Sequence, residues 1–248
     1  MEIKEGDIFA LGKHRVMCGN ALNLLDLKRL MENQEADMLF TDPPYGIDYV
    51  PEDRPIGGRA RSKHKLGGII GDKKDFELKR FLQLLETGIV KGAFYICGST
   101  NMYNEVWDWN IKTFKREPIV IIWAKNNYSI GRRDYHRQHE FIFYNYFKDK
   151  KFRGERNQSD VWFVRRRNPG DYMHPTQKPL FLAKRAIQNS SDPGDKVLDC
   201  FGGSGTTLIA AEFLKRQCFI MELDPKYVQV VIDRWEALTG KKAVKLEG

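Results

Sequence analysis

Several features that this sequence lacks narrow its class before any motif is read. No apolar run is long enough to cross a bilayer, and the opening Met1-Glu2-Ile3-Lys4-Glu5 has none of the apolar stretch of a secretory leader. A cytoplasmic protein with no membrane partner is expected. Cysteine is sparse: Cys18, Cys97, Cys200 and Cys218 each lie within or beside an apolar, strand-like run, and none forms a Cys-x-x-Cys pair. That pattern excludes a disulfide framework and a thiolate zinc centre, and it predicts buried thiols and no metal. There is no internal repeat and no low-complexity linker, so residues 1–248 are expected to form a single domain.

What is present is ordinary in bulk and uneven in charge. The 248 residues, 42% hydrophobic and 30% charged, suffice for one large α/β domain with a proper core. The formal net charge of +8 leans toward a polyanionic partner. The cations are clustered. Arg54, Arg59, Arg61, Lys63 and Lys65 share one Gly-containing stretch, and Arg132, Arg133 and Arg137 are interleaved with Tyr128, Tyr135 and His136. Lys148, Lys150, Lys151, Arg153 and Arg156 make a third run and Arg165-Arg166-Arg167 a fourth. One such run reads equally well as a solvated loop. Four, all in predicted loops or at strand ends, predict a basic groove, with mobile loops near 48–72, 126–138 and 148–158.

Periodicity places the elements. Arg15–Cys18 reads as a strand, 21–32 as a helix with one apolar face, and Ala36–Phe40 as a buried strand. A helix over Phe76–Gly88, a strand over Ala93–Cys97 and a helix over 101–110 follow. Pro118–Ala124 and Glu140–Phe147 read as antiparallel neighbours, with a short strand at Val161–Val164. The last third alternates cleanly: a helix from His174 to about Asn189, strand Lys196–Asp199, helix 206–215, strand Gln217–Glu222 and helix 225–239. Such alternation predicts an α/β fold, a mostly parallel sheet with helices on both faces.

Two turns carry chemistry. Thr41-Asp42-Pro43-Pro44-Tyr45-Gly46 ends the strand at 36–40 abruptly, because adjacent prolines cannot continue a ladder. The carboxylate of Asp42 and the ring of Tyr45 then suit a planar group bearing an amino substituent, such as a nucleobase; the alternative is a plain strand-ending turn. The second turn, Phe201-Gly202-Gly203-Ser204-Gly205, leads from a strand into a helix beginning Thr206-Thr207, an arrangement that lets backbone approach a ligand. It is not a dinucleotide fingerprint, since Leu208 stands where the third glycine would fall. One strand later comes Glu222-Leu223-Asp224, where an acid commonly holds a ribose diol.

With Asp42-Pro-Pro-Tyr45, Phe201-Gly-Gly-Ser-Gly205 and His174-Pro-Thr-Gln-Lys-Pro179, the chain resembles the S-adenosylmethionine-dependent DNA amino-methyltransferases from Gly12 to about Gly240. The order, catalytic motif before cofactor motif, resembles the β class, which implies a circularly permuted, Rossmann-like fold on a seven-stranded sheet. The resemblance implies methyl transfer from S-adenosylmethionine to adenine N6 in double-stranded DNA, with base flipping. N4-cytosine methylation and a non-catalytic nucleic-acid-binding subunit stand as alternatives, and an RNA substrate and a homodimer are left open. It assigns catalysis to Asp42, Pro43, Pro44 and Tyr45. Phe201, Gly203 and Gly205 would wrap the methionine portion of the cofactor with Gly202, Ser204, Thr206 and Thr207 beside them, and Asp199 would lie near its amino group. Glu222, with Leu223 and Asp224, would hold the ribose. Thr176, Gln177, Lys178 and Pro179 would close over the cofactor from the side, and Asp42 is counted among the cofactor-binding residues as well. Gly19-Asn20, with Ala21, aligns with a Gly-Asp pair that contacts adenine in relatives, here with an amide for the acid. The short, basic interval between Phe147 and His174 leaves no room for a large target-recognition domain. A short or relaxed target site is therefore expected, with DNA contacts from Arg54, Arg59, Arg61, Lys63, Lys65, Arg132, Arg133, Tyr135 and Arg137.

Overall fold

Asparagine and aspartate side chains set where two of the described helices begin. Asn23 accepts from the Leu25 N–H at 3.0 Å and Asp224 from the Lys226 N–H at 2.9 Å, so each helix starts one residue later, the second with Pro225 in its first turn. A computed structural model describes residues 2–45, 76–129, 134–165 and 178–246. In chain order the elements are β1 (Ile8–Leu11), β2 (His14–Cys18), α1 (Leu24–Leu30), β3 (Ala36–Thr41), α2 (Leu78–Leu85), β4 (Val90–Gly98), α3 (Tyr103–Phe114) and β5 (Ile119–Ser129). Then come β6 (Arg137–Tyr146), β7 (Val161–Phe163), α4 (Leu180–Ser190), β8 (Lys196–Asp199), α5 (Thr206–Phe213), β9 (Gln217–Glu222), α6 (Pro225–Thr239) and β10 (Val244–Leu246).

All ten described strands form one sheet in the order β10-β1-β2-β9-β8-β3-β4-β6-β5-β7. The seven contiguous strands from β2 to β5 are the expected Rossmann-like core, parallel except for β6. Three strands lie outside that expectation. β1 and β10 extend one edge as antiparallel neighbours, and β7 extends the other alongside β5. Each is only three or four residues long; β7 is the short strand expected at Val161–Val164, whereas β1 and β10 are too short for periodicity to separate from a loop. Alternate side chains go to opposite faces. Phe40, Tyr95, Ile142 and Trp123 meet α4, α5 and α6 on one, while Leu39, Phe94, Phe143 and Met221 meet α1, α2 and α3 on the other. Among the described residues, no helix is long and apolar enough to cross a membrane. All four cysteines are buried and unpaired.

One expected loop is partly strand, and a second is a loop as expected but pinned by ion pairs. β5 runs on to Ser129 and β6 begins at Arg137, so the stretch expected as a loop over 126–138 is largely strand at both ends. The pairing there is irregular: after Ala124 opposite His139 the register shifts, and it resumes with Ser129 opposite Arg137. The basic stretch at 148–158 is tied down: Arg153 makes two bonds to Asp192, at 2.9 and 2.8 Å, and Lys151 lies 2.6 Å from Asp195. Those two cations answer charges on the segment after α4 instead of facing an open groove. The first expected loop, 48–72, lies outside the described residues.

The site follows from topology. β8 and β3 are neighbours, yet the chain leaves β8 toward β9 on one side and β3 toward β4 on the other. Such a switch point opens a crevice beyond the carboxyl ends of the strands. The glycine-rich and proline-rich turns leave the sheet there, side by side.

Candidate active site

Thr41, the last residue of β3, joins the two turns. Its buried hydroxyl donates to Asp199 Oδ1 at 2.9 Å and accepts from the Cys200 N–H at 3.2 Å. Asp199 also accepts from the Thr207 hydroxyl at 2.6 Å and the Phe201 N–H at 3.2 Å. Burial pushes its carboxyl up to about 6 against these donors. Asp199 is thus an internal strut between β3, β8 and α5, with its carboxylate largely taken up by the protein.

Asp42 follows Thr41 and lies on the α4 side of the sheet, in a cluster of charges. Tyr45 Oη donates to Asp42 Oδ1 at 2.8 Å, and Lys178 Nζ lies 2.5 Å from Asp42 Oδ2 and 3.1 Å from Tyr45 Oη. Lys178 also pairs with Glu140 Oε2 at 3.1 Å, and Lys125 holds Glu140 Oε1 at 2.5 Å. Burial, with Glu140 adding to it, raises the Asp42 carboxyl above its ordinary range although Lys178 opposes the shift. The two lysines overcome burial at Glu140 and bring it down to about 2. Burial and the neighbouring carboxylates keep the Tyr45 phenol protonated, hence a donor. The Asp42 side chain keeps 22% of its surface exposed, so this acceptor has an open side. Pro43 is buried and Pro44 and Tyr45 half-buried.

Sequence reasoning grouped Asp42 with Tyr45 in one turn and gave Lys178 a place over the cofactor; it missed the contacts of Lys178 with Asp42 and Tyr45, and it missed Thr41, Glu140 and Lys125. A signal for Glu140 existed: on β6 it takes the inward position two residues before Ile142, opposite Trp123 on β5. A carboxylate where period-2 alternation demands an apolar side chain needs a buried counter-charge.

The glycine-rich turn divides by burial. Phe201 and Gly203 are half-exposed, whereas Gly202, Ser204, Gly205, Thr206 and Thr207 are buried and shape the turn. A Cβ at Gly202 would run into Ile220, and Gly205 has φ of +78° with Val231 pressed against it. The Ser204 hydroxyl accepts from Arg234 at 3.0 Å, and the Phe201 ring lies edge-on to Phe81 at 5.0 Å. Glu222 Oε2 accepts from the Gly203 N–H at 2.7 Å and Oε1 from the Asp224 N–H at 2.8 Å, which holds the ends of β8 and β9 in register. Burial pushes this carboxyl up to about 7. Leu223 is half-buried and Asp224 is engaged as the α6 cap.

Other expected residues fall further out. Asn20 is exposed, its amide oxygen accepting from the Leu22 N–H at 2.9 Å, and it lines a cavity of about 490 Å³ with Leu22, Glu77 and Arg80. The Ala21 side chain is buried in the core beneath α1. Pro179 is buried and caps α4, while Thr176 and Gln177 lie outside the described residues. So do Arg54, Arg59, Arg61, Lys63, Lys65, Arg132 and Arg133. Tyr135 is 90% exposed, Tyr128 stacks on His136 at 5.2 Å, and Arg137 bonds Thr100 Oγ1.

Residues 36–233 match the family of N6/N4 DNA methylases. The type II methyltransferase M2.DpnII of Streptococcus pneumoniae is 26% identical over 243 residues, covering 84% of this chain and 85% of that protein. M2.MboI of Moraxella bovis is 29% identical over 243 residues, covering 88% and 86%. The crystal structure of an M1.HpyAVI–SAM complex shares the fold with a TM-score of 0.62 at 24% identity, covering 88% of this chain and 98% of the other. With the match running from β3 into α6 across both turns at the switch point, this chain belongs to the N6/N4 DNA amino-methyltransferases.

Proposed function

We infer that this protein methylates the exocyclic N6 amine of adenine in DNA, using S-adenosylmethionine as donor and acting on a base flipped from the duplex. The observation that carries this reading is the half-open carboxylate of Asp42, joined through Thr41 and Asp199 to the glycine-rich turn. The residues on the other side of that strut fit the cofactor. Glu222 retains lone pairs for ribose hydroxyls after serving the Gly203 and Asp224 N–H groups, and Gly203 leaves its face of the turn without a side chain. Phe201, Leu223 and the Lys178-Pro179 segment would border the same ligand. When bound, that cofactor supplies an electrophilic methyl group on a sulfonium.

The protein's task is to prepare the nucleophile. An adenine amine shares its lone pair with the ring and attacks poorly. Accepting hydrogen bonds from that amine, Asp42 localises the lone pair and stabilises the positive charge that grows on nitrogen. The raised carboxyl is also placed to take the proton that the nitrogen sheds. Flipping the base costs a few kcal/mol, of which stacking on Tyr45 would return about 1–3 kcal/mol. Adenine is favoured over cytosine by the Asp-Pro-Pro-Tyr form of the turn, and a short or relaxed target site by the short basic interval after β6.

Purified protein incubated with methyl-labelled cofactor and plasmid DNA, followed by base-resolved mapping, tests all of this. Label on adenine N6 at short, frequent sites is the expected result. Label on cytosine N4 would overturn the choice of base, modification confined to one long motif the relaxed site, and no label the catalytic reading.

A further inference from the structure

Lys178 stands where the substrate must go. Its ammonium, 2.5 Å from Asp42 Oδ2, resembles in charge and in donors the methylated amine that Asp42 would stabilise. While it stays there, the acceptor is engaged by the protein itself. An ammonium with only 10% of its side chain exposed is not simply released, because leaving it there unpaired is strongly unfavourable. One destination is already built. Glu140 Oε2 lies 3.1 Å from the same Nζ, and the other oxygen, Oε1, is fixed by Lys125.

Taking the adenine reading above as given, we propose that Glu140 is a positioning residue for methyl transfer. It retains Lys178 when the target amine displaces that lysine from Asp42, and so frees the acceptor without stranding a charge. The electrostatics agree. Asp42 faces Lys178, Glu140 and Tyr45, with Cys97 and Asp199 beyond, and Glu140 is the neighbour whose charge pairs with both lysines. The side-chain order Asp42–Lys178–Glu140–Lys125 alternates in sign, so a shift of Lys178 toward Glu140 keeps every charge beside an opposite one.

The test compares the wild type with Glu140→Gln and Glu140→Asp on plasmid DNA with labelled cofactor. Wild-type incorporation comes first, and its absence would defeat the parent reading alone. Given incorporation, Glu140→Gln is expected to lower kcat at least tenfold, with cofactor Kd by calorimetry within about twofold. The acid limb of its pH–kcat profile should move to lower pH, because Asp42 loses a negative neighbour and keeps Lys178. Glu140→Asp, which keeps the charge, should stay well above Glu140→Gln, so a loss caused only by misfolding would show as equal loss in both. A Glu140→Gln enzyme within twofold of wild type, or equal losses in both variants with an unmoved pH profile, would overturn the proposal.

Discussion

Asp42 works at the boundary between protein and cleft: one carboxylate oxygen is held by Tyr45, the other by Lys178, and part of its surface stays open. Replacing it with alanine removes the acceptor and leaves Lys178 to Glu140. Methyl transfer is expected to fall by about a hundredfold or more, with cofactor binding unchanged by calorimetry. Tyr45 donates its hydroxyl to Asp42, and in the function proposed above its ring stacks on the flipped base. Tyr45→Ala should therefore lose more activity on duplex DNA than on mismatched or single-stranded DNA, because only the duplex needs unstacking. Glu222, held up near 7, changes charge in the physiological range. In the ribose-holding role proposed above the ionised carboxylate is the stronger acceptor, so cofactor affinity should rise between pH 6 and 8, and Glu222→Gln should flatten that rise. The folded state holds this proton more tightly than the unfolded chain, so its stabilising effect is complete below about pH 4 and lost as pH climbs through 7. Thermal melts of the cofactor-free protein should show wild type losing ground to Glu222→Gln across that window.

At the scale of elements, the Thr41–Asp199 strut matters because it joins strands whose connections run in opposite directions. Thr41→Val keeps the shape and deletes both hydrogen bonds of a fully buried hydroxyl. The expected cost is about 1–3 kcal/mol, read as a lower urea midpoint with an unchanged slope. Turnover should fall further than stability alone explains, since the proline turn would no longer be referenced to the glycine turn. Much at this scale was legible. The prolines stop β3 because they lack a donor, and the glycines after β8 permit a turn that Ile220 and Val231 would otherwise forbid. Glu140 was not legible as a partner of Lys178, because a single acid in a strand names no counter-charge until the register of β6 is known.

For the molecule as a whole, the net charge of +8 and the cations outside the structural pairs favour a polyanion. Binding to DNA is expected to weaken steeply with salt, log K falling by about 0.9 per phosphate contact for each log unit of salt. A titration between 50 and 200 mM salt with a flat response would argue against a phosphate-based interface. Lys151 and Arg153 should add little to that slope, since Asp192 and Asp195 already neutralise them.

The sequence alone determined the alternation of strands and helices, the two turns and their order along the chain. Those depend on local chemistry: side-chain period, the missing donor of proline and the missing Cβ of glycine. Only the tertiary structure decided that Asp199 braces the turns, that Lys178 rests on Asp42, and that Glu140 and Lys125 complete the cluster. Ion pairs and hydrogen bonds between residues 158 or 136 positions apart arise from strand order and register. No local pattern carries that information.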